Sequence, residues 1–332
     1  MKKLNKKYIT GGILAALALA LAFQLGYNAG LRNTIEAEEI FVIDGSHDTV
    51  PLAAMPVISP AVSTVLTNEA SGRNVNRNAK AEVDFSNAAD GYIMARWMDR
   101  SASNADVRVV IVGPNGVQYQ YRLNTAGRWE SFPLSGGNGN YIVRVMEGIG
   151  GGRFAVTNTV NISLTLNDEF APFLRPNQFV NFTPQSAVVT LANEIVVDAS
   201  SVLESVQNVY HWVVNNIDYD TELAQTVQSG YVPNLDEVLR VRRGICFDYA
   251  SLMTAMLRSQ GIPTRLVIGY VGTTRHAWIS VYSEQDGWID NVIQFNGNEW
   301  RIMDPTFSAT GNREEVRRFV GNGENHRQTH VH

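Results

Sequence analysis

RRGICFDYASLMTAMLRSQGIP, Arg242 to Pro263, holds the one cysteine in a chain of 332 residues. Gly244 supplies a tight turn. From Cys246 onward CFDYASLMTAMLRSQ reads as a helix, which Gly261 and Pro263 close in the usual order of stop signals. Cys246 is therefore expected in the first helical turn. There the positive end of the helix dipole favours a negatively charged sulfur, and unpaired backbone N–H groups face outward to meet a developing oxyanion. The competing reading is a small buried hydrophobe, since free cysteine is among the most buried residue types. Position alone leaves both readings open.

The totals describe a globular chain with appendages. Hydrophobic residues make up 45% and charged residues 18%, ordinary values for chains with real cores, and the length suggests about two domains. A net charge of -5 provides no basic footprint for phosphate backbones, so no nucleic-acid partner is expected. Lys2, Lys3, Lys6 and Lys7 precede an uncharged run from Tyr8 to Leu31. Residues 1–31 thus read as a signal peptide or an N-terminal membrane anchor. Ala20-Leu21-Ala22 fits a cleavage site, while the whole run, helical at ~1.5 Å per residue, would reach about 36 Å and span a bilayer. In either case the remainder is expected outside the cytoplasm, secreted or anchored to the membrane. A lone cysteine cannot make an internal disulfide, so the thiol needs another reason to be there.

Residues 32–78, with Pro51, Pro56 and Pro60, read as a linker. Across residues 79–167 short β-rich runs follow one another: AEVDF, YIMARW, VRVVIV, VQYQYRL, YIVRVM and VNISLTL. Turn formers such as Pro114-Asn115-Gly116 and Gly136-Gly137-Asn138-Gly139 separate them. This spacing predicts an all-β sandwich, and with no acid cluster, histidine pair or phosphate loop it reads as a spacer or binding module. A proline-containing join occupies 168–194. In 195–312, Val202, Val206, Val209, Tyr210 and Val213 predict an amphipathic helix over Ala199 to Ile217, with a short helix around Asn234 to Val241. After the cysteine helix come strands at Thr264 to Val271, His276 to Tyr282, Gly287 to Phe295 and Glu299 to Met303. Helices followed by an antiparallel sheet make an α+β domain. Residues 313–332, with His326, His330 and His332, read as a disordered polar tail.

His276 lies in TTRHAWISVY, where alternation puts His276, Trp278 and Ser280 on one face of a strand. Asp304 ends EWRIMDPTF, directly before Pro305, which stops the ladder. Singly these are a core histidine and a turn aspartate. In order, helix-start Cys, strand His and strand-end Asp offer nucleophile, base and orienter.

With these residues in place, the region from about Ile195 to Thr310 resembles the transglutaminase-like superfamily. RRGICFDYASLMTAMLRSQGIPTRLVIGY is similar to its cysteine block, with Gly244, Cys246, Asp248 and Ala250 in position; HAW at His276 to Trp278 is similar to the histidine block and WRIMDPT at Trp300 to Thr306 to the aspartate block. The resemblance implies a papain-like core in which Cys246, His276 and Asp304 carry ping-pong acyl transfer or hydrolysis on protein or peptide amides, cell-envelope material among them. Asp248 and Tyr249 read as anchors of the helix. Tyr219 is a candidate to line the cleft or donate to the oxyanion, and Trp278 to shield a thioester. Arg242 and Arg243 either raise the thiolate fraction or are simply solvated. No HExxH or paired CxxC spacing is present, nor an EF-hand-like loop, so no metal and no cofactor are expected. A second reading keeps the fold and drops the chemistry, leaving a surface adhesion or peptide-binding scaffold.

Overall fold

Period-two alternation of apolar and polar residues builds the N-terminal half of a computed structural model that describes residues 65–101, 105–284, 287–290, 293–295, 300–302 and 326–332. All of these lie within one compact unit, Pro56–His332. The strands are β1 (Val75–Arg77), β2 (Ala81–Asp84), β3 (Tyr92–Trp97), β4 (Val107–Val112), β5 (Gln118–Leu123), β6 (Glu130–Pro133), β7 (Gly139–Gly148) and β8 (Phe154–Leu164). They form two antiparallel sheets, ordered β1-β2-β3-β6 and β5-β4-β7-β8. In β5, Tyr119, Tyr121 and Leu123 turn inward while Gln118, Gln120 and Arg122 face water. The inner faces share one core, in which Trp97, Ile111, Tyr121, Phe132 and Val143 are fully enclosed.

This sandwich starts earlier than the alternation suggested. β1 lies in the expected linker, and β6 has no counterpart among the expected runs; the two are the edges of one sheet. Edge strands are short, tolerate proline and polar residues, and so lack the buried alternation that reveals central strands. Pro133 closes β6 opposite Tyr92.

The second half contains α1 (Ala187–Val196), α2 (Val202–Asn216), β9 (Asp218–Tyr219), α3 (Thr221–Thr226), α4 (Leu235–Val241), β10 (Arg243–Gly244), α5 (Cys246–Ser259), β11 (Thr264–Val271), β12 (Thr274–Ser283), β13 (Gly287–Ile289), β14 (Ile293–Phe295), β15 (Trp300–Ile302) and β16 (His326–Val331). Strands β13-β12-β11-β16 form an antiparallel sheet, β14 and β15 a hairpin, and β9 and β10 a short parallel pair. Helix starts are set locally: the side chains of Ser201, Asp220 and Asn234 each accept an N–H bond at the N-termini of α2, α3 and α4. Helix α5 is enclosed from Asp248 to Ser259. Val188, Ala192, Val206, Val209 and Val213 of the flanking helices and Leu266, Ala277 and Ile279 of the sheet share its core. The expected join therefore ends sooner than residue 194, because α1 already belongs to this core.

The C-terminal residues correct a second expectation. His326–Val331 is not a loose tail but an edge strand on β11, and His332 exchanges backbone bonds with Leu266 at 2.9 and 2.8 Å. The His332 ring is buried against Tyr119, Tyr121 and Phe179, and its Nδ1 lies 2.9 Å from the Tyr121 hydroxyl. Burial holds His332 down at about 3. Composition hid this strand, since a polar edge segment with several histidines reads as solvated until its backbone partner is known. Arg258 of α5 ties the seam together. It donates to the carbonyls of Thr264, Arg175 and His332 at 2.9, 2.7 and 2.7 Å.

Among the described residues no helix is long and apolar enough to cross a membrane. The lysine-flanked run of residues 1–31 and Asp304 lie outside the described residues.

Candidate active site

Cys246 is the first residue of α5 and is partly exposed. The N-cap is Ile245, in extended conformation, and its hydrocarbon side chain offers no acceptor to the first turn. Only the return half of a capping box is made: the Asp248 carboxylate takes the Ile245 N–H at 2.8 Å. The helix ladder begins at Tyr249 N–H to Ile245 carbonyl, 3.1 Å. No side chain caps the start of this helix, so the turn bearing the thiol keeps the donor-rich mouth that an oxyanion would use.

The approach to Cys246 is fixed from behind. Gly244 and Tyr219 are partners in the parallel β9–β10 pair, extended by Asp218 N–H to Arg242 carbonyl and Asp220 N–H to Gly244 carbonyl, both 2.8 Å. The Tyr249 hydroxyl donates to the Ile217 carbonyl, tying α5 to the end of α2. At residue 244 only glycine fits, because a Cβ would lie 2.7 Å from that of Asp248. The spacing of Gly244, Cys246 and Asp248 is thus a packing requirement as well as a motif.

His276 sits in β12 opposite Gly269 and is buried. Alternation along β12 turns Ala277 and Ile279 toward the α5 core and puts His276 with Trp278 on the other face of the strand, so the face that meets α5 is not the one His276 shares. Trp278 shares the His276 face and packs with Val267, apart from the α5 core that Ala277 and Ile279 join. Its ring lies over Gly269, where a Cβ would meet it at 2.5 Å. Tyr219 is half-buried, with its ring 6.3 Å from that of Tyr249.

The two arginines before the cysteine are engaged elsewhere. Arg242 stacks on Trp212 at 4.7 Å and Arg243 pairs with Asp220 at 3.2 Å. Sequence reading missed Tyr231, whose hydroxyl donates to Asp248 at 2.8 Å. It also missed Phe179, whose ring lies 5.2 Å from that of Phe247. Neither has a local signal: one is a loop residue between Gly230 and Pro233, the other belongs to the join. Burial raises the Asp248 carboxyl above its ordinary range, opposed by the Ile245 N–H and the Tyr231 hydroxyl. A separate open groove on α2, lined by Ile195, Asn208, His211, Trp212, Asn215 and Asn216, includes neither Cys246 nor His276. No group of three or more metal-ligating side chains gathers among the described residues.

Residues 189–291 match the family model of the transglutaminase-like superfamily. This segment belongs to that superfamily. The chain is 27% identical over 140 residues to kyphoscoliosis peptidase of Mus musculus, covering 38% of this chain and 19% of that protein. It is 29% identical over 94 residues to a protein-glutamine gamma-glutamyltransferase of Pseudomonas aeruginosa, covering 24% and 12%. The matched region thus spans a fifth or less of either relative. A crystal structure of a candidate cysteine protease from Cytophaga hutchinsonii aligns over 78% of this chain and 73% of its own, with TM-score 0.37 and 16% identity. The transglutaminase-like fold is one that supports thiol-dependent catalysis, with strands preceding the helical core.

Proposed function

We propose that the transglutaminase-like domain performs thiol-dependent acyl transfer or hydrolysis on protein or peptide amides outside the cytoplasm. Cys246 is the nucleophile, His276 the base and Asp304 the group that orients the imidazole. The observation that carries this reading is the partly exposed thiol on an uncapped first turn of an otherwise enclosed helix, within a segment of matched family. The names of the relatives, a peptidase and a glutamyltransferase, support an amide carbonyl as the electrophile.

His276 takes the thiol proton, and the thiolate attacks the amide carbon. The carbon–sulfur bond forms while backbone N–H groups of the first turn hold the oxyanion. The carbon–nitrogen bond then breaks, and the imidazolium gives its proton to the leaving amine. A second amine or water attacks the thioester, passes a proton to His276 and releases the acyl group, restoring the thiolate. An amine acceptor gives cross-linking; water gives deamidation or peptide cleavage.

The test is iodoacetamide labelling at neutral pH together with turnover of a glutamine-peptide panel, with and without a primary amine. Cys246 should label faster than a free cysteine peptide, and His276→Ala should remove the advantage. Equal rates for the protein and the peptide, with no turnover, would favour the binding scaffold. A reporter fused after His332 should appear outside the cytoplasmic membrane; a cytoplasmic signal would overturn the location.

A further inference from the structure

Asp248 is the one carboxylate of the transglutaminase-like domain that is completely shut from water among the described residues. Its oxygens serve two different parts of the chain. Oδ2 holds the Ile245 N–H, in the Gly244–Ile245 peptide one residue before the thiol, at 2.8 Å. Oδ1 accepts from the Tyr231 hydroxyl at 2.8 Å, across 17 residues of sequence. The neighbouring charge that acts on it is Asp220, which repels it. Two neutral donors therefore serve this buried carboxyl group, and each is correspondingly important.

The Tyr231 loop also leans on both neighbours of the site. The Tyr231 ring lies 6.4 Å from that of Phe247, which follows the thiol. Phe247 in turn packs on Phe179 of the join. Gly230 lies against the Arg122 guanidinium of the sandwich, 3.7 Å from where a Cβ would stand. From sandwich to nucleophile there is a continuous series: Arg122, Gly230, Tyr231, Asp248, the Ile245 N–H and Cys246.

We propose that Tyr231 is a positioning residue for Cys246, fixing through Asp248 the peptide that aims the thiol and the first-turn N–H groups. The 227–234 loop then forms the sandwich-side rim of the acyl-donor cleft. This rests on Cys246 being the nucleophile. Tyr231→Phe keeps the ring and removes only the donated bond. Asp248→Asn keeps both contacts, because its amide oxygen accepts from Ile245 and its NH2 donates to the Tyr231 oxygen. Asp248→Ala keeps neither.

The experiment measures iodoacetamide labelling of Cys246 and thermal unfolding on the same preparations of the full chain, with kcat and KM for any peptide that the wild type turns over. Tyr231→Phe should slow labelling about tenfold or more and lower kcat with KM nearly unchanged, since small errors of aim cost rate steeply. Asp248→Asn should stay near wild type, Asp248→Ala should be at least as slow as Tyr231→Phe, and the Tyr231→Phe, Asp248→Ala double variant no slower than Asp248→Ala. A Tyr231→Phe protein that melts lower but labels at the wild-type rate would overturn the proposal, as would Asp248→Asn failing as badly as Asp248→Ala. Wild-type labelling no faster than a free cysteine peptide would sink the nucleophile and this role together. Fast wild-type labelling that Tyr231→Phe leaves unchanged would sink this role alone.

Discussion

Glu82 of the sandwich and Arg258 of the transglutaminase-like domain are both buried charged side chains, and they are satisfied in different ways. Glu82 sits near the edge of its sheet and takes two bonds from Arg96, 2.8 and 2.5 Å, so charge meets charge. Arg258 has carbonyl acceptors only, and burial pulls its guanidinium down to about 9. The pattern extends to the two regions. The sandwich confines its buried polar side chains, Glu82, Asp84, Asn87 and Asn158, to β2, the turn after it and β8, around a hydrocarbon and aromatic core, whereas the central helix and sheet of the second region enclose Asp248, Ser251, Thr254, Arg258, Ser259, His276 and Ser280. One region keeps polar desolvation outside its central packing; the other accepts it on the central helix and sheet, where it holds groups at fixed places.

That contrast breaks most sharply at Cys246. Cys246→Ala should abolish covalent labelling and turnover while changing unfolding free energy by no more than about 1 kcal/mol, as read from urea melts. If stability fell heavily instead, the thiol would be a packing residue. Next in size, Trp97→Ala should cost about 3–5 kcal/mol by removing a fully buried indole, with labelling per folded molecule unchanged. Arg258→Ala should cost about as much for a different reason, removing three charge-assisted bonds from a buried guanidinium to the carbonyls of Thr264, Arg175 and His332. Unlike the sandwich variant, it should also loosen hydrogen exchange along β16. Equal exchange in the two variants would erase the distinction between the regions.

A smaller effect concerns acid. The folded-state value of His332 lies well below that of an exposed histidine, so the neutral ring is the one that fits. Its contribution is complete above about pH 6.5 and is lost progressively as pH falls toward 3. By pH 4.5 the loss should reach about 2–3 kcal/mol, and His332→Gln should flatten this part of the stability profile. Smallest is Arg242, the single non-glycine with positive φ (56°) among the described residues, at the C-cap of α4. Arg242→Gly relieves the left-handed backbone but gives up the Trp212 contact, whereas Arg242→Ala gives up the contact and keeps the strain. The glycine variant should be the more stable of the two by about 1 kcal/mol in thermal melts.

The sequence was most readable where a single element carries its own signal. Alternation located the central strands, and the Gly261–Pro263 stop placed the end of α5 within a few residues of Ser259. Cys246 at a helix start and His276 with Trp278 on one strand face were likewise legible, because spacing alone determines them. Edge strands β1 and β6 were not, since a strand with one neighbour and a wet side has little pattern to show. Nor were Tyr231, Phe179 and His332. Their meaning lies in partners 17, 68 and 211 residues away, at Asp248, Phe247 and Tyr121, and no window along the chain contains both members.

The edge strand on β11 also has a consequence for the order of events on the ribosome. The sandwich strands pair with near neighbours in sequence and have all been made by Leu164. The second sheet waits for His326–Val331, so the outer edge of β11 stays an open template through the synthesis of everything between. Tyr121 likewise waits 211 residues for His332. The seam between the two halves therefore closes after every other described strand has been made, and until then the half bearing the thiol is the one exposed to mispairing.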